Sequence, residues 1–246
     1  MSDVNTHSNT MTKTKKRSLF STLRRWLIRL VLLWLFITVL LVLPLRWLNP
    51  STTAFMLQRM YSQEHKPIEI KHEWRDISEI APSLAMSVIA SEDQKFADHW
   101  GFDLAAIEQV LEDRQKGEKM RGASTLSQQL AKNLYLWPGR NLIRKGLEAY
   151  FTAAIEVMIP KRRILELYLN VAELGDGIYG AEAAAHTIFG VPAESLSPYQ
   201  SALLAARLPA PKKYAIQPPS DYMQKRARWI EQQVKQLGGH NYLNRL

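Results

Sequence analysis

The sequence predicts a mostly α-helical protein, with one transmembrane helix followed by a single helical domain. Three observations carry that reading. An apolar stretch near the N-terminus, residues 26–48, is as long as a bilayer is thick. After it, apolar residues recur at three- and four-residue spacing in segment after segment, most opened by Pro, Asp, Ser or Asn and several closed by Gly or Pro. Segments alternating with a period of two are almost absent, and no internal repeat is visible.

Sixteen uncharged residues, LVLLWLFITVLLVLPL, lie between Arg29 and Arg46, and counting Trp26 to Ile28, Trp47 and Leu48 the stretch spans residues 26–48. At about 1.5 Å per residue this length covers about 34 Å, against a hydrocarbon core of roughly 30 Å. Arg29 can snorkel to the headgroups, and Trp26 and Trp47 suit the two interfaces. The RWLNPSTTAF that follows has no small-x-small cleavage pattern, which favours an anchor over a signal peptide. Residues 1–25 read as a basic cytoplasmic arm, with the polar first twelve residues disordered.

Residues 49–66 read as a connector and residues 67–246 as the domain. Phe55, Met56, Leu57 and Tyr61 in the connector either dip into the outer leaflet or pack on the domain. Pro67 to Ile70 is the one expected strand. Pro82 opens a helix that runs to Glu92 and Asp93, and Asp103 caps a second, with Leu104, Ile107, Val110 and Leu111 as its apolar face. Ser124 caps a third (TLSQQLAKNLYL), Asn141 a fourth that ends at Pro160, and KRRILELYLNVAEL makes a fifth. Gly175 to Gly180 is expected as a loop. An Ala-rich helix closed by Gly190, a helix SPYQSALLAARL stopped by Pro209, and SDYMQKRARWIEQQVKQL before Gly238 complete the chain.

The chain has 246 residues and a formal charge of +9, but the excess is local. Residues 1–50 hold eight Lys or Arg against the single acid Asp3, a net of +7, while the other 196 residues hold 24 basic and 22 acidic side chains. A domain so nearly neutral is a poor partner for nucleic acid. The absence of cysteine rules out a disulfide scaffold, a thiolate nucleophile, Cys-ligated zinc and iron–sulfur clusters.

Three clusters could carry chemistry. In SEDQKFADHWGFD, residues 91–103, a carboxylate among Phe96, Trp100 and Phe102 would be partly desolvated and so a better proton acceptor near neutral pH, which makes Glu92 the candidate base; the alternative is a solvated acidic helix end. In GASTLSQQLAKN, residues 122–133, Gln128 and Lys132 share a helical face with Ser124 and Thr125, while Leu126, Leu130 and Leu134 pack elsewhere. Hydroxyl, amide and ammonium groups on one face suit a phosphate or a sugar. In RNLIRKGLE, residues 140–148, Arg140, Arg144 and Lys145 stack beside Glu148, as stabilising a departing diphosphate requires, though an ordinary surface ion pair has the same spacing. His99 is read as structural.

Two formal matches fail on context. GDGIYG, residues 175–180, fits a dinucleotide fingerprint but follows a helix rather than a strand, and HEWRD, residues 72–76, lacks the second histidine of a zinc protease.

In this order EDQKFADHWG, GASTLSQQLAKN, RKGLE, KRRILELYLN and GDGIYGAEAAAHTIFG resemble the five motifs of the family 51 glycosyltransferases, the peptidoglycan glycosyltransferases. The resemblance covers residues 67 to 215 and extends to the anchor. It is similar to the glycosyltransferase half of class A penicillin-binding proteins, but no S-x-x-K or K-T-G of a β-lactam-binding half occurs. One departure stands in the fifth motif, where Thr187-Ile188-Phe189-Gly190 replaces an aromatic pair before Gly and Val191 replaces a Lys.

The resemblance implies a lysozyme-like two-lobed helical fold, and lipid II and the growing glycan chain as substrates. It implies Glu92 as general base towards the acceptor sugar's 4-hydroxyl and Glu148 as the second carboxylate, acting through a divalent metal (Mg or Mn) or by holding cations in place. No cofactor is required on this reading. Ser124, Gln128, Lys132, Asn133, Arg140, Arg144 and Lys145 would line the phosphate and sugar sites. The expected location is the inner (plasma) membrane, single-pass, with the N-terminus cytoplasmic and the domain periplasmic, beside other cell-wall synthesis or division proteins. The rival functions are a lysozyme-like lytic enzyme and a catalytically inactive tethered scaffold.

Overall fold

The computed structural model describes residues 14–61, 68–116, 122–139, 141–214 and 217–246. It forms two compact units, residues 1–42 and 43–246. The first contains one helix, α1 (Thr14–Val42). It starts twelve residues before the expected span, because Lys and Arg are good helix formers and nothing in the basic arm breaks the i→i−4 ladder. The chain from Phe20 to Arg46 is long and apolar enough to cross a membrane. The disorder expected for the first twelve residues falls outside the described residues.

The second unit begins with a 3-10 turn, Leu43–Arg46, which lies within the expected membrane span. Arg163 donates from Nε to Leu45 O (2.8 Å) and from Nη2 to Leu48 O (2.8 Å) and Asn49 Oδ1 (2.7 Å). The helix α2 (Ala54–Tyr61) packs on α5 (Leu126–Tyr135) through buried Met56, whereas Leu57 and Tyr61 stay exposed.

The helix α3 (Pro82–Glu92) has Pro82 at its first position, where a missing N–H costs nothing. Seven consecutive residues, Leu84 to Ala90, are buried, as a helix apolar on all sides must be. It lies against α9 (Pro198–Arg207) and α10 (Asp221–Gln236). A second group of helices packs around α5, namely α6 (Leu142–Met158) and α7 (Lys161–Val171). The helix α4 (Leu104–Gln115) starts at Asp103, whose Oδ1 accepts from Ala106 N at 3.0 Å.

Three expectations change. The strand falls on β1 (Lys71–His72) rather than residues 67–70, of which 67 is outside the described residues. The loop 175–180 is instead a hairpin, β2 (Glu173–Gly175) and β3 (Ile178–Tyr179), with β1 parallel to β3 on the far edge. Because β2 begins at Glu173, α7 stops at Val171 rather than Leu174. Gly180 closes the hairpin at φ 83°, and a Cβ there would meet Asn170 O at 2.5 Å, so the glycine serves a close backbone approach and not a dinucleotide. The Ala-rich helix α8 (Ala181–Ala184) passes into a π-helical turn, Ala185–Phe189, before Gly190; the divergent fifth motif lies on this turn.

Candidate active site

Glu92 is the last residue of α3 and half-buried. Its Oε2 accepts from Gln129 Nε2 at 2.9 Å, and Gln129 Oε1 accepts from the Tyr168 hydroxyl at 2.8 Å. Tyr168 is buried, and burial together with the neighbouring Glu92 and Asp93 pushes its hydroxyl well above its ordinary value. It therefore stays a donor, which orients the Gln129 amide so that its NH2 faces Glu92. Burial raises the Glu92 carboxyl above the ordinary glutamate value, partly offset by the Gln129 hydrogen bond and by the charges of Arg226 and Lys132, while Asp93 pushes it further up.

Asp93, next in sequence, turns the other way. Its Oδ1 is 2.8 Å from His99 Nε2, and its Oδ2 accepts from Leu126 N at 2.9 Å, where the positive end of α5 favours a carboxylate. Because Gly101 N donates to His99 Nδ1 at 3.0 Å, the ring proton sits on Nε2 and points at Asp93. His99 thus bridges Asp93 and the Gly101 backbone.

The N-cap of α5 is Thr125, not Ser124. Thr125 Oγ1 donates to Gly101 O at 2.7 Å and accepts from Gln128 N at 3.3 Å, and Gln128 Oε1 accepts from Thr125 N at 3.1 Å. This capping box engages the Gln128 Oε1 and backbone N–H and leaves the residue 4% exposed. Ser124 is exposed and Asn133 buried. The helix turns Gln129 towards Glu92 instead. Gln129, Tyr168 and Arg226 are the site residues sequence reasoning missed. The T-x-x-Q spacing of Thr125 and Gln128, a capping-box signature, could have redirected attention from Gln128 to Gln129.

The cationic end is built on the first turns of α6. Asn141 caps it, accepting from Arg144 N at 2.7 Å. Glu148, 4% exposed, accepts from Arg144 Nη1 at 2.7 Å on Oε2 and from Lys145 Nζ on Oε1. Arg144 is buried with its Nε unpartnered, and Lys145 is half-exposed. Arg140 lies outside the described residues.

Lys132 stands half-buried on α5. Its ammonium lies 5.3 Å from the centre of the Phe55 ring. Burial lowers its proton affinity, Glu148 and Glu92 hold it up, and Arg144 and Lys145 push it down. One cation therefore feels both carboxylates.

The family model described as "Transglycosylase" matches residues 59–235. The chain belongs to the transglycosylase family. It is by that membership an enzyme of glycosyl transfer. Among its relatives, the "Biosynthetic peptidoglycan transglycosylase" of Stutzerimonas stutzeri is 55% identical over 91% of this chain and 95% of its own. That of Ectopseudomonas mendocina is 53% identical over 91% and 93%. That of Xanthomonas campestris pv. campestris (strain B100) is 50% identical over 89% and 90%. The transglycosylase match takes in every described residue of the Glu92–Lys132–Glu148 site.

Proposed function

We propose that this chain polymerises lipid II into peptidoglycan glycan strands, with Glu92 as the general base. The observation that carries the reading is that α5 holds both Gln129, hydrogen-bonded to half-buried Glu92, and the half-buried cation Lys132, while Arg144 and Lys145 gather on Glu148. Glu92 takes the proton of the acceptor sugar's 4-hydroxyl while that oxygen attacks the donor's anomeric carbon. The bond from that carbon to the diphosphate breaks, and the polyprenyl diphosphate leaves with the electron pair. Attack from the side opposite the leaving group inverts the anomeric centre. Lys132, Arg144 and Lys145 stabilise the charge that accumulates on the departing phosphates, so no acid is needed to protonate them.

Glu148 acts on this reading by holding Arg144 and Lys145 in place. Both its oxygens already accept from cations. Among the described residues no group of three His, Cys, Asp or Glu stands close enough to hold a metal. That donor set fits a divalent ion poorly. The same engagement argues against the acid–base carboxylate pair of a lytic glycosidase.

The apolar N-terminal helix supports a membrane-anchored enzyme meeting a lipid-borne substrate. The basic arm supports a cytoplasmic N-terminus with the domain outside.

The test is Glu92→Gln, assayed for polymerisation of purified lipid II. The expected loss is at least about hundredfold, the scale of a general base, with the circular dichroism spectrum unchanged. Undiminished polymerisation would remove Glu92 from the mechanism, and shortening of finished glycan by the native chain would favour the lytic reading.

A further inference from the structure

The C-terminal residues make contacts that neither the sequence motifs nor the site above account for. Gly238 and Gly239, at φ 89° and 62°, reverse the chain at the end of α10, a conformation other residues adopt only with strain. The 3-10 turn that follows, Gly239–Arg245, returns to α3. Within it Tyr242 is 3% exposed. Its hydroxyl accepts from Ala97 N at 2.9 Å and donates to Gln94 O at 3.1 Å. Arg245 pairs with Asp98 in the same stretch. These residues lie beyond the 59–235 matched by the family model.

Residues 93–98 form the tight passage between Glu92 and His99. Phe96 N donates to Asp93 O at 3.0 Å and Asp98 N to Lys95 O at 2.7 Å, while Phe96 is buried beneath. The Asp93–His99 contact closes the passage at its ends. Gln94 O and Ala97 N stand three residues apart, the pair that would bond directly in a closed β-turn. The Tyr242 hydroxyl stands between them and satisfies both. Without it, Ala97 N and Gln94 O lose their shared partner, and the chain that sets the direction of Glu92 and Asp93 is free to shift.

We propose that the C-terminal turn is a strap over the Glu92–His99 passage, and that Tyr242 is a positioning residue for Glu92. The proposal rests on Glu92 being the base. Tyr242 touches no substrate on this reading. Its hydroxyl acts through the backbone of Gln94 and Ala97, so its loss affects the chemical step and leaves binding at the cations intact.

The experiment is Tyr242→Phe in the full-length chain, which keeps the buried ring and removes only the hydroxyl. It is assayed on lipid II well below the melting temperature of both proteins. The expected result is a kcat about fivefold lower with KM within about twofold, the signature of a misplaced reacting group rather than a lost binding contact. In parallel, hydrogen exchange at the Ala97 amide rises in the variant while the α3 amides remain protected. An unchanged kcat, or activity falling only in step with the folded fraction, overturns the proposal. So does an Ala97 amide that exchanges in the native chain as fast as a surface amide, a measurement that holds even if the variant folds poorly. Glu92→Gln, run alongside, separates the two claims. If it polymerises normally the base reading fails; if it is inactive while Tyr242→Phe is unimpaired, the strap alone fails.

Discussion

Glu92 is costly where it stands. Burial raises its carboxyl above the ordinary value, so the folded chain binds that proton more tightly than the unfolded chain does. The stability this confers is fully present below the unfolded glutamate value of about 4.3 and is lost as pH rises through the folded one. At neutral pH the burial of Glu92 therefore opposes folding. Glu92→Gln keeps the shape, keeps an acceptor for Gln129 Nε2 and removes the buried charge. The variant should melt roughly 2 °C higher than the native chain at pH 7, and the difference should vanish near pH 4. Melting curves at the two pH values check this, and a neutral or lower melting temperature at pH 7 would contradict the desolvated carboxylate. The same pair of carboxylates shows why neighbours in sequence take different work. Each oxygen of Asp93 has a partner, His99 or the α5 N-terminus, whereas among the described residues Glu92 receives one amide donor, which leaves its other oxygen for the proposed proton transfer.

At the scale of the elements, the site depends on how helices begin. The Thr125 hydroxyl caps α5 and also holds Gly101 O, so a single atom ties the loop after Asp93 to the helix carrying Gln129 and Lys132. Thr125→Ala removes the cap, about 1 kcal/mol, and leaves a buried carbonyl unpaired at about 1–3 kcal/mol. Chemical denaturation should show a loss of about 2–3 kcal/mol, and Thr125→Ser should recover most of it; equal stability of all three would mean the hydroxyl carries neither bond. Helix starts of this kind were largely legible beforehand. Pro82, Asp103, Asn141, Ser197 and Ser220 each open the helix their position indicates. Ser124 was the exception, because two adjacent hydroxyl residues offer the same capping chemistry and only Gln128 at the third position selects Thr125. The hairpin at Glu173–Tyr179 was illegible for a different reason. Its strands are three and two residues long, too short for alternation to register, and β3 is defined by pairing with β1 a hundred residues earlier. The Glu92–Gln129–Tyr168 relay shares that origin, since it joins three helices that local spacing cannot relate.

Across the whole chain, the boundary of the folded domain differs from the one hydropathy suggests. Uncharged, mostly apolar residues run without a break from Leu30 to Leu45, so hydropathy alone assigns Leu43 to Leu48 to the membrane span and the next eighteen residues to a connector. The folded unit nevertheless begins at Leu43. The reason is polar: a 3-10 turn and the residues after it present Leu45 O, Leu48 O and Asn49 Oδ1 to the Arg163 guanidinium, and Arg46 Nη1 reaches Met158 O at 3.5 Å. Arg163 also pairs with Glu166, so deleting the segment would not leave its charge bare, but it would strip three acceptors from a side chain only 11% exposed. A chain cut to begin at Leu43 should therefore be more stable than one cut to begin at Pro50, by about 1–2 kcal/mol, the scale of a few hydrogen bonds to a partly buried charged group. Parallel urea titrations of the two chains make the comparison, with Arg163→Met in each as control. In the longer chain that substitution should cost most of the difference, and in the shorter one little. If the two chains unfold at the same urea concentration, the segment is a tether and not part of the domain, and the hydropathy boundary would be the correct one.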